Sequence, residues 1–225
     1  MASDFAAAFE RERGRYSDGQ ARLPGIGDPD ERQRQLTRMG NAATGAGLAL
    51  LIDGRRDDAD TWFARAGERY RESFEAAPPG SWGRPIGAIK ARLLADDRPG
   101  AERDSRWALD EGAARSESPI GRYAACLAEL VLGRDEDAAA LASTLVNRDD
   151  FPRDVAAALS AIAARDGHAY AAAVSDVLRS FETRDAYLED IAVADTVLVL
   201  QALAVDRGLA VELESPLLPG TERPL

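Results

Sequence analysis

Few side chains in this chain are suited to acid–base or metal chemistry, and their spacing restricts what they can do. His168 is the single histidine, set in the turn Arg165-Asp166-Gly167-His168-Ala169. General acid–base catalysis would need a positioned partner beside it, and a zinc site would need further nitrogen or sulfur ligands. Cys126 is the single cysteine and lies inside an apolar run, so neither a disulfide nor a cysteine metal site can form within one chain. Carboxylates cluster at Asp57, Asp58 and Asp60, at Asp135, Glu136 and Asp137, and at Glu189 and Asp190. Paired carboxylates serve glycoside hydrolysis in other proteins. Here each group falls at an expected helix start, where acids favour the helix dipole. The alternating acidic loop of calcium hands is missing, as are a glycine-rich phosphate loop with lysine and a Gly-x-Ser-x-Gly elbow. The sequence therefore predicts no catalytic residues, no metal, no cofactor and a non-enzymatic role.

Recognition chemistry is better represented. Lys90 is the only lysine, all other cationic side chains being arginine. The segment Pro78-Pro79-Gly80-Ser81-Trp82-Gly83-Arg84-Pro85 presents Trp82 at a helix start, where an indole can anchor a partner or pack on the neighbouring hairpin. Asn41, Thr44, Lys90 and Tyr123 fall at non-core spacing on helices expected to line a concave surface. These four and Trp82 are the candidate partner-binding residues.

The elements that must position them are announced by a recurring loop. Gly54-Arg55-Arg56-Asp57-Asp58-Ala59 returns as Gly133-Arg134-Asp135-Glu136-Asp137-Ala138. A degenerate copy is Asp97-Arg98-Pro99-Gly100-Ala101, and a fainter one surrounds His168. The closing alanines 59, 101, 138 and 169 are 42, 37 and 31 residues apart. Repeats at this spacing predict stacked helical hairpins, because one hairpin cannot bury its own apolar face. Gly47, Gly54, Ala59, Phe63 and Ala66 follow the tetratricopeptide spacing in the first unit. Arg84-Pro85-Ile86-Gly87 and Ser118-Pro119-Ile120-Gly121 share Pro-Ile-Gly at an offset of 34, the tetratricopeptide period.

The chain reads as ten helices in about five hairpins: an all-α, irregular tetratricopeptide-like α-solenoid over residues 1–210, then an extended proline-containing tail over 211–225. Ser3 with Asp4 starts the first helix, which carries Phe5 and Phe9, and a loop is expected from Asp18 to Gly27. Asp28-Pro29 opens the second helix, since aspartate caps and proline suits the first turn. The third, Asp57 to Ala77, aligns Trp62, Ala66 and Tyr70 on one stripe. Ser81 should cap the fourth, Pro99 opens the fifth with Trp107, and Ser118-Pro119 opens the sixth. Further helices follow Gly133, Arg153 and Ala169, and a long final helix is expected from Tyr187 to Arg207, ended by Gly208.

Composition agrees. The 44 alanines suit close helix contacts, and the hydrophobic share of 45% is too high for a disordered chain. The net charge is −11. Residues 1–100 carry 16 acids and 16 bases, residues 101–225 carry 23 and 12, so all the excess negative charge lies in the second half. Nucleic-acid binding needs clustered cations and is not expected. No apolar run is long enough for a membrane span, and early charged residues argue against a secretory leader, so a cytoplasmic protein is expected. The acidity either keeps the protein soluble, adapts it to a salty cytoplasm, or steers a basic partner.

The C-terminal third carries a resemblance. Phe181, Arg184 and Tyr187 precede Val197-Leu198-Val199-Leu200-Gln201-Ala202-Leu203-Ala204, then Asp206-Arg207-Gly208, then Glu212-Leu213-Glu214-Ser215-Pro216-Leu217-Leu218-Pro219. This order, with the Trp82 to Asp97 stretch, resembles immunity protein family forty-nine of bacterial polymorphic-toxin systems, in pieces over residues 80–219. The resemblance implies an all-α protein that binds and neutralises a cognate toxin, and it brings no catalytic residues; the acidic second half suggests that the surface it blocks would be basic. Two functions stay open: an immunity-type interaction protein, or an adaptor that docks a peptide or helix in its concave groove.

Overall fold

The structure, a computed structural model, describes residues 2–220. The described residues are all-helical, without a strand. Ten helices run in order: α1 (Ala2–Arg22), α2 (Pro29–Ile52), α3 (Arg56–Phe74), α4 (Gly83–Leu94), α5 (Arg98–Asp110), α6 (Pro119–Val131), α7 (Asp135–Val146), α8 (Arg153–Ala164), α9 (Gly167–Glu182) and α10 (Asp195–Val205). Local chemistry sets several starts. Asp28, Asp97, Ser118 and Asp166 each accept a hydrogen bond from a backbone N–H three residues on, with Pro29, Pro99 and Pro119 in the first turns that follow Asp28, Asp97 and Ser118.

The recurring loop has one conformation. Gly54 and Gly133 adopt left-handed backbone at φ +78° and +72°, and Asp96 and Arg165 occupy the equivalent places at +54° and +55°. The degenerate copies therefore keep the turn and lack its glycine. The loop arginines have a shared task as well. Arg56 donates to Leu94 O at 2.8 Å and Arg98 to Ala202 O at 2.7 Å, each satisfying a carbonyl of another helix's last turn.

Each helix through α9 packs on the next. The even-numbered helices also touch one another, α2 with α4, α4 with α6 and α6 with α8, and so form the inner layer of a curved stack. Close approach is built into the sequence. A Cβ on Gly47 would meet the Phe63 ring at 2.6 Å, which explains the glycine and aromatic of the first unit's pattern. Gly87 leaves the same room for Tyr70, at 2.7 Å.

The inner face is not left empty. α10 is apolar on most of its circumference, Gln201 being its one polar residue after the first turn. Val197, Leu200, Leu203 and Ala204 are fully buried, and α10 touches α4, α8 and α9. The tail returns along it. Ala194 donates to Leu217 O at 2.9 Å, Leu217 is buried, and Gln201 exchanges hydrogen bonds with the Val211 backbone. Arg207, 3% exposed, donates to Leu130 O at 2.8 Å and pairs with Asp135.

Several expectations need correction. The final helix does not start at Tyr187: Glu189 and Asp190 are left-handed at φ +51° and +57°, and residues 191–194 are non-helical. Glu189 is no dipole partner but an anchor for α1. Its carbonyl accepts from Arg11 at 2.7 Å and its carboxylate pairs with Arg15. Asp135 does open α7, as expected, and also belongs to a cross-helix ion cluster with Arg165 and Arg207. Residues 18–22 are helical, not loop, because Gly19 lets α1 lie against Gln35 and Met39 of α2. Ser81 does not cap α4: its hydroxyl donates to Pro78 O at 2.6 Å. α10 closes the array by packing on α4 and α8 as well as on α9. Ser3 and Asp4 lie within α1, and their side chains, like the tail beyond residue 220, lie outside what the structure describes.

Candidate functional site

Where α10 begins, the inner face stays open. A cleft of about 300 Å³ lies between α2 and α4, with Tyr70 of α3 at its floor and Leu188 and Asp195 at the C-terminal side. α2 contributes Thr37, Asn41 and Thr44, spaced by four and three residues and hence on one helical stripe. α4 contributes Arg84, Gly87, Ala91 and Leu94 on its own stripe, with Lys90 beside it. Tyr70 reaches the cleft because Gly40 and Gly87 flank its ring; a Cβ on either would lie within 3 Å of it.

The polar groups form two linked sets. Tyr70 donates from its hydroxyl to Asn41 Oδ1 at 2.9 Å, and Thr44 Oγ1 lies 3.3 Å from the same hydroxyl. Lys90 forms an ion pair with Asp195 and a 3.3 Å hydrogen bond to Thr196 Oγ1. Both ion-pair side chains are largely buried, at 18% and 11% exposure. Burial opposes the Lys90 ammonium, yet Asp195 together with the Tyr123 and Tyr70 hydroxyls holds the pKa above the ordinary lysine value. Burial pushes the Tyr70 hydroxyl up to about 12, and raises Tyr123 as well. Lys90, Tyr70 and Tyr123 are thus shifted away from neutral pH, the opposite of a poised acid–base pair.

Arg84 stands apart. It donates to Gln33 Oε1, and Gln33 donates onward to Asp30 Oδ1 at 2.9 Å. No carboxylate pairs with it among the described residues, and its Nε is buried without a hydrogen-bond partner. Desolvation lowers its pKa from the ordinary guanidinium value.

Of the five predicted residues, Asn41, Thr44 and Lys90 converge on this cleft. Tyr123 is buried one unit further on, its ring 5.3 Å from Phe151. Trp82 is buried against Phe74 at 6.2 Å. Neither lines the cleft. Sequence reasoning missed Thr37, Tyr70, Arg84 and Asp195. The tetratricopeptide spacing placed Asn41 and Thr44 on the inner face, and Thr37 follows from the same stripe. Arg84 had a signal too, being one helical turn before Gly87. Asp195 had none, since it pairs with Lys90 across 105 residues.

A second recess, about 380 Å³, lies on the outer side beneath Arg13, Arg65 and Arg69. Its arginines are already engaged: Arg13 with Glu10, Arg69 with Glu72 and Tyr16, and Arg65 over the Trp62 ring at 4.5 Å. His168 is exposed at the start of α9, and Cys126 is buried, its thiol pushed up to about 12 by burial. Among the described residues no group of three metal-ligating side chains occurs, and no helix is long and apolar enough to cross a membrane.

No protein-family model matches the chain, and no curated protein and no solved structure matches it either.

Proposed function

We propose that this is a non-catalytic protein-interaction protein of the immunity kind, which covers a basic surface of a toxin with the acidic outer face of its second half. One observation carries the reading. Glu111, Glu117, Glu136, Asp137, Asp149 and Glu214 are all exposed, and none has an ion-pair partner among the described residues. In the same half the exposed arginines without such a partner, Arg103, Arg115, Arg153 and Arg184, are fewer than these acids. An excess of unpaired negative surface charge adds little to stability but accelerates encounter with an oppositely charged partner. The adaptor alternative, a peptide or helix laid in the concave groove, would require α10 to leave its place there.

Co-expression with a secreted toxin encoded beside this chain tests the proposal. Growth should be restored. Replacing Glu136 and Asp137 together by lysine should slow association at least tenfold at low salt, with a difference that shrinks at high salt; the melting temperature should fall by a few degrees, because both acids sit in the first turn of α7. A toxin that still kills, or an association rate indifferent to both salt and charge reversal, refutes the proposal.

A further inference from the structure

The α2–α4 cleft combines features that an interaction scaffold does not need. It is walled on one side by Ile86, Ala91 and Leu94 and on the other by polar α2 residues. Lys90 and Asp195 cancel each other's charge. Arg84 is then the one uncompensated charge among the described lining residues, inside a protein of net charge −11. Its Nε is shielded from water with nothing to donate to. Nη1 makes no hydrogen bond among the described residues either, and unlike Nε it is not shielded, so the side of the guanidinium that carries it is open to a ligand. The Gln33 hydrogen bond, itself held by Asp30, fixes the guanidinium plane. A fixed guanidinium with a free edge matches a planar carboxylate, which accepts two parallel hydrogen bonds.

We propose that this cleft binds a small monocarboxylate, its carboxylate on Arg84 and its apolar body against Ile86, Ala91 and Leu94. Size sets the ligand's scale. At about 30 Å³ per water-sized unit, the volume holds roughly ten non-hydrogen atoms. A single compensating charge favours a monoanion over a phosphate dianion. The Asn41 amide nitrogen, left free while Oδ1 accepts from Tyr70, is placed to donate to a second polar group on the ligand.

Hexanoate is a suitable probe, with hexylamine as the charge-inverted control and inorganic phosphate as the headgroup control. Titration calorimetry with the full chain should show saturable one-to-one binding of hexanoate and none of the controls. Arg84→Gln should weaken hexanoate at least tenfold, while Arg84→Lys recovers part of the loss. Arg84 is partly exposed, so both variants should keep the wild-type melting curve. Chemical shifts should move at Ile86, Ala91 and Leu94. Hexanoate without effect up to about 10 mM, a millimolar limit equivalent to weak contact, overturns the proposal. So does equal binding of hexylamine or phosphate, or hexanoate binding unchanged in Arg84→Gln. None of these results bears on the acidic face, which is tested separately by its own variants.

Discussion

The two ends of the inner face solve the same problem in opposite ways. Around α8 the inner layer presents Val155, Leu159 and Ile162, and α10 closes over it with a largely apolar surface. Around α2 and α4 it presents Thr37, Asn41, Thr44, Arg84 and Lys90, and a cleft is left. α4 and α8 are both 12 residues long, so helix length does not separate them and the difference lies in side chains. Apolar groups gain about 25 cal/mol per Å² by excluding water, and cover follows. Polar groups gain nothing from cover unless each finds a partner. Asp195 marks the boundary: it is the first residue of the apolar helix, and it gives Lys90 the partner that permits burial.

Breaking that boundary should produce the largest effect. Asp195→Ala strands a buried ammonium and should cost about 3–5 kcal/mol in urea unfolding, while Lys90→Met with Asp195→Leu should come near to wild type. The pH dependence has a fixed sign. The folded pKa of Lys90 lies above its ordinary 10.5, and that of Tyr70 above 10.0, so the folded state holds these protons more tightly. Their contribution is therefore complete below about pH 10 and lost as pH rises through the folded values. A wild-type protein whose excess stability over Asp195→Ala persists undiminished at pH 12 would refute the assignment.

At the covered end, Leu203→Ala should cost about 3 kcal/mol, through lost burial and the cavity left behind, and this loss should not vary with pH. A loss below about 1 kcal/mol would mean that α10 is loosely seated. The smallest effect belongs to the loops. Asp96→Gly should stabilise by about 0.5–1 kcal/mol in thermal unfolding, by relieving a left-handed backbone that Gly54 and Gly133 occupy without strain. It should leave hexanoate affinity unchanged, which separates turn strain at the end of α4 from the chemistry of the cleft.

Much of the scaffold was legible because its signals are local. Asp28-Pro29 and Ser118-Pro119 carry their caps within three residues, and the loop spacing reported the stack before any contact was known. The same spacing brought Asn41, Thr44 and Lys90 to one place. What could not be read depends on distant partners. Lys90 read as a free recognition group because Asp195 is far away in the chain. The apolar run from Ile191 to Val205 read as one more hairpin helix, since periodicity cannot tell which neighbour a largely apolar helix will choose. Residues 18–22 read as loop because what holds them in α1, the approach of Gly19 to the side chains of Gln35 and Met39, is tertiary. Tyr123 and Trp82 had the right types for recognition and were claimed instead by Phe151 and Phe74.

The placement of α10 dictates an order of events at the ribosome. Every hairpin through α9 joins neighbours in sequence and can form as it is synthesised, whereas α10 seals against α4, emitted about a hundred residues earlier. Until residues 195–217 have left the exit tunnel, the nascent stack holds Leu159 and Ile162 uncovered, a sticky surface that chaperones recognise. Completion of this protein is thus a single late docking step, and a stop codon placed before Asp195 would leave a soluble-looking set of hairpins prone to aggregate.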